Sequence, residues 1–390
     1  MLSRRSHWNA PTNRLSAARE ACARSGRPLF DLTETNPTRI GLEYPEEELA
    51  AAMARGARAR HDPDPRGVLT AREALAVSLS TPGDSVSPDD LVLTASTSEA
   101  YSFLFKILCD PGDEILTAVP SYPLLDHLAA LESVRLVHFP LEPGARWNLD
   151  AGEVRRAASD RTRAVVAIHP NNPTGSFLKV AEQDALVEWC ESRGAALISD
   201  EVFLDYPIDA AEPAGPAAKH GRALTFSLGG LSKSAGLPHY KLGWIRAGGE
   251  GSAKRAALAA LELVADHFLS VSTPVQSALP ELLTLAPRIR DQIRARTRKN
   301  YAALGKASAG LPSVESLPVE GGWSAVLRVP RLSSDEELAL TLLENDGVLV
   351  HPGYFFDFPS EGFLVLSLLP DPKIFEAGLA CLAARLTARA

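Results

Sequence analysis

Leu91-Val92-Leu93-Thr94-Ala95-Ser96-Thr97-Ser98-Glu99 opens the stretch that decides the fold. Four residues without polar alternation are followed by a Ser-x-x-Glu pair, then by Tyr101, Leu104, Phe105 and Leu108 at helical spacing. The first run reads as a strand covered on both faces, and Ser96 with Glu99 as the capping box of a helix that leaves it. The unit then recurs. Apolar runs at 114–118, 134–139, 164–168, 195–199, 224–227 and 242–247 read as strands, with a helical period at 124–132 among them. Strands alternating with helices predict an α/β fold whose large domain holds a mostly parallel wound sheet covered by helices. In such sheets ligands bind beyond the carboxyl ends of the strands, so chemistry is sought in the residues that follow each run.

After Val264 the pattern changes. A long helical stretch at 275–304 precedes strands near 324–329 and 363–368 and a final helix near 372–386. The expected division is a large domain over 41–265 and a smaller α+β domain made from 1–40 and 266–390. The stretch 210–220, rich in Ala, Pro and Gly, is expected to be a surface loop. Composition agrees with an ordinary globular chain. Of 390 residues, 45% are hydrophobic and 23% charged, which excludes collagen, a coiled coil and a mostly disordered chain. The net charge of -8 argues against a nucleic-acid binder, and no apolar run approaches the roughly 18 residues that span a bilayer. Cys22, Cys109, Cys190 and Cys381 are far apart and form no C-x-x-C pair, so free buried thiols are expected, with no metal. The basic opening Met1-Leu2-Ser3-Arg4-Arg5-Ser6 faintly resembles a transit peptide, but a short N-terminal arm and a cytoplasmic address are the better expectation.

Four strand ends carry chemistry. Ser96-Thr97-Ser98-Glu99 leads small hydroxylated residues into a helix N-terminus, which is either a plain cap or an anion site. Asn171-Asn172-Pro173-Thr174-Gly175 follows the 164–168 run and reads as a turn by its residues alone. Asp200, directly after the 195–199 run, is an N-cap or a functional carboxylate. Ser232-Lys233-Ser234 places a lysine among small residues, as a solvated amine or as a Schiff-base nucleophile.

In order and spacing these four resemble the fold type I pyridoxal-phosphate enzymes, specifically the class I/II aminotransferases. The resemblance runs over nearly the whole chain. It includes Asn36-Pro37, Pro63-Asp64-Pro65-Arg66-Gly67, Pro120-Ser121-Tyr122-Pro123, Asn172-Pro173-Thr174-Gly175, Asp200-Glu201-Val202, Leu231-Ser232-Lys233 and Leu242-Gly243-Trp244. It implies that Lys233 holds pyridoxal 5'-phosphate as a Schiff base and shuttles the proton. Asp200 would pair with the ring nitrogen, Asn172 with the ring hydroxyl, and Tyr122 would stack on the ring. Thr97 and Ser98 would hold the phosphate, with help from Ser232 and Lys241. It implies a ping-pong transfer between an amino donor and an oxo acid, in a homodimer with shared active sites. A β-lyase or decarboxylase on the same fold is the alternative. A regulatory module of this fold would need a DNA-binding domain, and only about 30 residues precede Asn36.

Five positions depart from the family. Lys241 stands where many relatives have an arginine, and Gly230 replaces a common phosphate-binding serine. Phe203 stands where a tyrosine often donates to the ring hydroxyl, and His61 where a tyrosine usually reaches the neighbouring subunit's phosphate. In Phe363-Leu364-Val365-Leu366-Ser367, Val365 occupies the place of the arginine that commonly grips the substrate carboxylate. Arg39 is the candidate substitute, and Tyr354 a candidate for the substrate side. The loss of a donor at Phe203 generates a prediction. Titrating the visible band of the Lys233–cofactor imine should give a transition at raised pH; an unusually low transition would refute it.

Overall fold

The computed structural model describes Ser3, Arg5 and residues 13–144, 146–209 and 213–388. Most of the basic opening at 1–6 thus lies outside the described residues, as do 210–212. Seven strands form the main sheet: β1 (Leu91–Thr94), β2 (Glu114–Val119), β3 (Arg135–Pro140), β4 (Thr162–Ile168), β5 (Ala196–Asp200), β6 (Thr225–Gly230) and β7 (Gly243–Gly248). Their spatial order is β1-β7-β6-β5-β4-β2-β3. β7 runs antiparallel to both β1 and β6, while the other pairings are parallel. The carboxyl ends of β1, β2, β4, β5 and β6, and the amino end of β7, therefore share one edge.

Burial explains the unalternating sequence. Neighbours along each strand alternate between two cores. Ile115, Ala164, Ala196 and Phe226 pack with the helices Thr97–Leu108 and Gly251–Asp266. Leu116, Val165 and Leu197 pack with the helix Val180–Arg193. Both faces are covered, so both parities are apolar. β6 runs three residues beyond the predicted end at Ser227. Gly229 and Gly230 are strand residues: a Cβ on Gly229 would lie 2.4 Å from the Trp244 ring on β7. Glycine is needed there for close strand packing.

The second sheet holds β8 (Glu315–Ser316), β9 (Ser324–Arg328), β10 (His351–Pro352) and β11 (Phe363–Ser367), in the order β8-β9-β11-β10 and all antiparallel. Phe30–Asp31 pairs in parallel with Val348–Leu349, which ties the N-terminal segment to the last third of the chain. The helix Thr273–Ala309 buries Val275, Leu279, Leu282, Ala286, Ile289 and Ile293, a stripe at helical spacing. The predicted surface loop at 210–220 needs correction in its second half. Ala214, Ala217 and Ala218 are buried, because Glu201 accepts the Ala217 amide at 2.8 Å and Ser227 the Ala218 amide at 3.0 Å. Of the cysteines, all free, Cys22 and Cys190 are buried, but Cys109 and Cys381 are only half-buried. No helix among the described residues is long and apolar enough to cross a membrane.

β7 is anchored by a buried ion pair. Arg246 Nη1 donates to Asp84 Oδ2 at 2.8 Å, and both side chains are buried. Arg246 holds the Asp84 carboxyl below its ordinary range. That contribution is fully present above the ordinary carboxylate pKa of about 3.9 and is lost as pH falls through the lower folded-state value. Asp84→Asn leaves a buried guanidinium without its counter-charge, so denaturant unfolding at neutral pH should show a loss of about 3–5 kcal/mol. The mutational loss should shrink toward the acid end.

Candidate active site

Each functional side chain reaches the shared edge for a local reason. Ser96, in extended backbone, caps the helix Thr97–Leu108 by accepting the Glu99 amide at 3.2 Å. The Glu99 carboxylate reaches back to the Ala95 amide at 2.6 Å, one residue further than a capping box would place it. Thr97 and Ser98 thus occupy the first helical turn, whose amides have no carbonyl partners within the helix. After β4, the buried Asn171 donates to Pro120 O at 3.0 Å and to Thr174 Oγ1 at 2.9 Å. Gly175 at φ +70 lets the turn meet Val319 and Gly321, where a Cβ would clash at 2.6 and 2.7 Å. This turn presents Asn172, whose Oδ1 accepts the Ser324 hydroxyl at 3.1 Å. β6 passes directly into a short helix, Leu231–Ser234, which carries Ser232 and Lys233.

These ends surround one cavity of about 860 Å³. Thr97, Ser98, Tyr122, Asn172, Asp200, Ser232, Lys233, Lys241 and Tyr354 all line it. Asp200 sits at its centre with two donors, the Tyr101 hydroxyl at 2.9 Å and the Val202 amide at 3.2 Å. Among the described residues no cation pairs with it at close range. Burial pushes its carboxyl up, while these two donors and the charge of Lys233 pull it down. Lys233 is shifted the opposite way. Burial lowers its ammonium pKa, partly offset by Asp200. Its Nζ lies 5.1 Å from the Trp323 ring centroid and 5.9 Å from that of Phe203. Those rings meet edge-on at 5.2 Å. The Tyr206 hydroxyl donates to the Lys233 carbonyl and fixes the backbone beneath the amine. An amine so placed is dry, lowered in pKa and free to attack a carbonyl.

Lys241 is exposed and sits in left-handed backbone at φ 50, a strained state for a lysine, at the amino end of β7. Gly230 lies beside it, where a Cβ would come within 3.3 Å of the Gly243 Cα and the Leu242 carbonyl. Two expected residues do not reach the cavity. Arg39 points to solvent, its side chain 70% exposed and 3.9 Å from Glu34, because Asn36 caps a short turn that carries it outward. His61 lies in a separate small cleft with Val68 and Leu269, its Nδ1 2.9 Å from Thr273 Oγ1.

Several lining residues escaped the sequence reading. Tyr101 counted only as part of an apolar helix face, although it falls one turn after Thr97 and so above the sheet edge. Ser324 and His351 come from the second sheet, with Trp323 just ahead of it, and no motif linked that sheet to the first. Thr33 and Thr35 come from the N-terminal segment.

A half-buried lysine and an enclosed carboxylate thus line one cavity beyond the strand ends of a wound sheet, the arrangement of an enzyme's active site. The model of the aminotransferase class I and II family matches residues 27–376, and the chain belongs to this family. It is 25% identical over 366 residues to glutamate-pyruvate aminotransferase AlaA of Haemophilus influenzae, covering 92% of this chain and 90% of that protein. It is 27% identical over 378 residues to an alanine aminotransferase of Mycobacterium tuberculosis, covering 95% and 87%. Among solved structures, alanine aminotransferase from Pyrococcus furiosus superposes with a TM-score of 0.90 at 22% identity over all of both chains. Aspartate aminotransferase from Thermotoga maritima gives 0.85 at 23%, over 99% and 100%. The fold is thus that of the aspartate aminotransferase-like enzymes.

Tyr101 should matter through Asp200. Tyr101→Phe removes a hydrogen bond to a carboxylate, worth roughly 1.5–3 kcal/mol. Aminotransferase kcat/KM should fall about 10- to 100-fold, with the folded state retained by circular dichroism; an unchanged rate would show that Asp200 does not need this donor.

Proposed function

We propose that the chain is a pyridoxal-phosphate-dependent aminotransferase that works by a ping-pong cycle through Lys233. The observation that carries this reading is Asp200, a carboxylate raised by burial and left without a cation, facing Lys233 across one cavity. An acid in that state fits a ligand that brings its own positive charge, such as a protonated ring nitrogen. At the other end, the open helix start at Thr97 and Ser98, with Ser232 and Lys241, fits a phosphate. The residues present therefore fit the cofactor at both ends.

When bound, pyridoxal phosphate supplies an aldehyde that condenses with amines and a ring that accepts electron density. The protein's groups do the rest. Asp200, held by the Tyr101 hydroxyl, would keep the ring nitrogen protonated. Asn172, held by the Ser324 hydroxyl, would take the ring hydroxyl, and Tyr122 would cover the ring. Phe203 and Trp323 keep water from Lys233 Nζ. Once the substrate's amine is bound, Lys233 Nζ would be free to carry the proton off the substrate carbon that bears that amine. Tyr354, exposed at the mouth, belongs to the substrate side.

The same reading includes a homodimer in which His61 is offered to the phosphate of a second copy. The exposed apolar Phe268 and Leu269 near that cleft support it. It also divides the chain into a cofactor-binding unit, 41–265, and a smaller unit from 1–40 with 266–390. The pairing of Phe30–Asp31 with Val348–Leu349 supports that division.

Reconstitution with pyridoxal phosphate should give a visible band that Lys233→Ala abolishes. An amino donor should bleach the band with one equivalent of oxo product, and an oxo acid should restore it. A band that persists without Lys233 would overturn the assignment. Release of ammonia or carbon dioxide without the amine form would favour a lyase or decarboxylase.

A further inference from the structure

Val365, in β11, is 2% exposed and lines the cavity next to His351 of β10, its partner in register. It stands where the family resemblance places the arginine that grips a carboxylate. Among the described residues of this chain, none that lines the cavity replaces that charge. Among the described lining residues the only lysines are Lys233 and Lys241, and none is an arginine. Both lysines have work in the proposed cofactor site. His351 does not supply the charge, because burial lowers its imidazole to about 4 and leaves it neutral near pH 7. It packs instead against Phe355 and Phe356, at 5.6 and 5.8 Å between ring centroids.

Arginines do stand nearby, each already committed. Arg19, whose charge reaches His351, pairs with Asp31 at 3.2 Å. Arg14, whose charge reaches Tyr354, pairs with Glu336 at 3.0 Å. Arg39 is turned away. What the lining offers at its rim is a carboxylate of its own, Asp357, exposed and in left-handed backbone at φ 56. A substrate carboxylate entering this apolar cavity would lose water without gaining a cation, and would meet a like charge.

We infer that the amine handled by this site carries no carboxylate on its reacting carbon: it is a primary amine with an apolar or aromatic body, interconverted with its aldehyde or ketone. Tyr122, Leu124 and Tyr354, large apolar surfaces exposed at the mouth, match such a body. The inference rests on the Lys233–pyridoxal phosphate reading and deepens it. It also departs from the named relatives, whose substrates are amino acids and oxo acids.

The test uses holoenzyme and matched pairs that differ by one carboxylate: 2-phenylethylamine against phenylalanine, and 3-methylbutylamine against leucine. Bleaching of the visible band and formation of aldehyde or oxo acid are followed. The amines should react with kcat/KM at least about tenfold above their partners, the scale of one charge-assisted hydrogen bond. Amino acids that react as fast or faster overturn the inference, as does a holoenzyme with an intact band that reacts with neither. A preparation that forms no band at all refutes the Lys233 reading itself, and this inference falls with it, so the two failures are distinguishable. Val365→Arg should shift the ratio at least about tenfold toward the amino acids in a variant that folds and still forms the band. A folded variant with an unchanged ratio counts against the inference, and if the variant does not fold the wild-type pairs alone decide.

Discussion

Asp200 is the constraint on which the site turns. A carboxylate enclosed at the end of a central strand is unfavourable unless something compensates it. Here the compensation is partial: one phenol, one amide and a lysine at longer range. The remainder is left for a ligand. That single imbalance accounts for the neighbouring choices. Tyr101 must lie one turn into the first helix, Val202 must turn its amide back, and Lys233 must face the same space without closing a salt bridge that would satisfy Asp200 permanently. Burial then raises the acid and lowers the amine, and each stays available for a role that a tight pair would forbid.

The sheet makes this geometry possible. With β7 reversed, its amino end joins the carboxyl ends of its neighbours, so Lys241 and Gly243 come to the same edge as Thr94, Asp200 and Gly230. Gly243 faces Thr94 and Gly230 in register. A Cβ on it would lie 3.1 Å from the Ser96 carbonyl carbon and from Thr94 Oγ1. Small residues at this crossing leave the helix start at Thr97 uncovered, which is what an anion needs.

Much of this was legible in the sequence because burial on both faces leaves an unmistakable trace. Runs such as Ala164-Val165-Val166-Ala167-Ile168 have no polar side to hide, and the residue after each run is the residue at the edge. Legibility failed where two physical signals share one residue. Tyr101 is apolar by its ring and polar by its hydroxyl, and helical periodicity registers only the ring. The predicted strand ends at Ser227, short of Gly229 and Gly230, yet the strand needs Gly229 to admit Trp244 and Gly230 to pack against Gly243. Ala217 and Ala218 looked like loop residues because composition does not register that Glu201 and Ser227 bond their amides. Arg39 failed for another reason. Its proximity in sequence to Asn36-Pro37 suggested the cavity, but the turn capped by Asn36 decides the direction, and that direction is outward.

The second sheet, the least legible part, supplies the wall that the proposed substrate would meet. The strand-end motifs constrain the groups proposed to hold the cofactor. They do not constrain the wall that meets the substrate. In that wall a buried strand residue next to a histidine in register gives the sequence a choice between a cation, which needs a counter-charge, and a hydrocarbon, which needs none. Val365 and the neutral His351 are the hydrocarbon solution, and they are mutually consistent. An unpaired guanidinium beside a dry imidazole would be unfavourable in the resting protein, whereas valine against Phe358 and Phe363 completes an apolar core. The substitution is thus not a gap in an otherwise ordinary site. It is the point at which packing and the proposed specificity meet in one side chain.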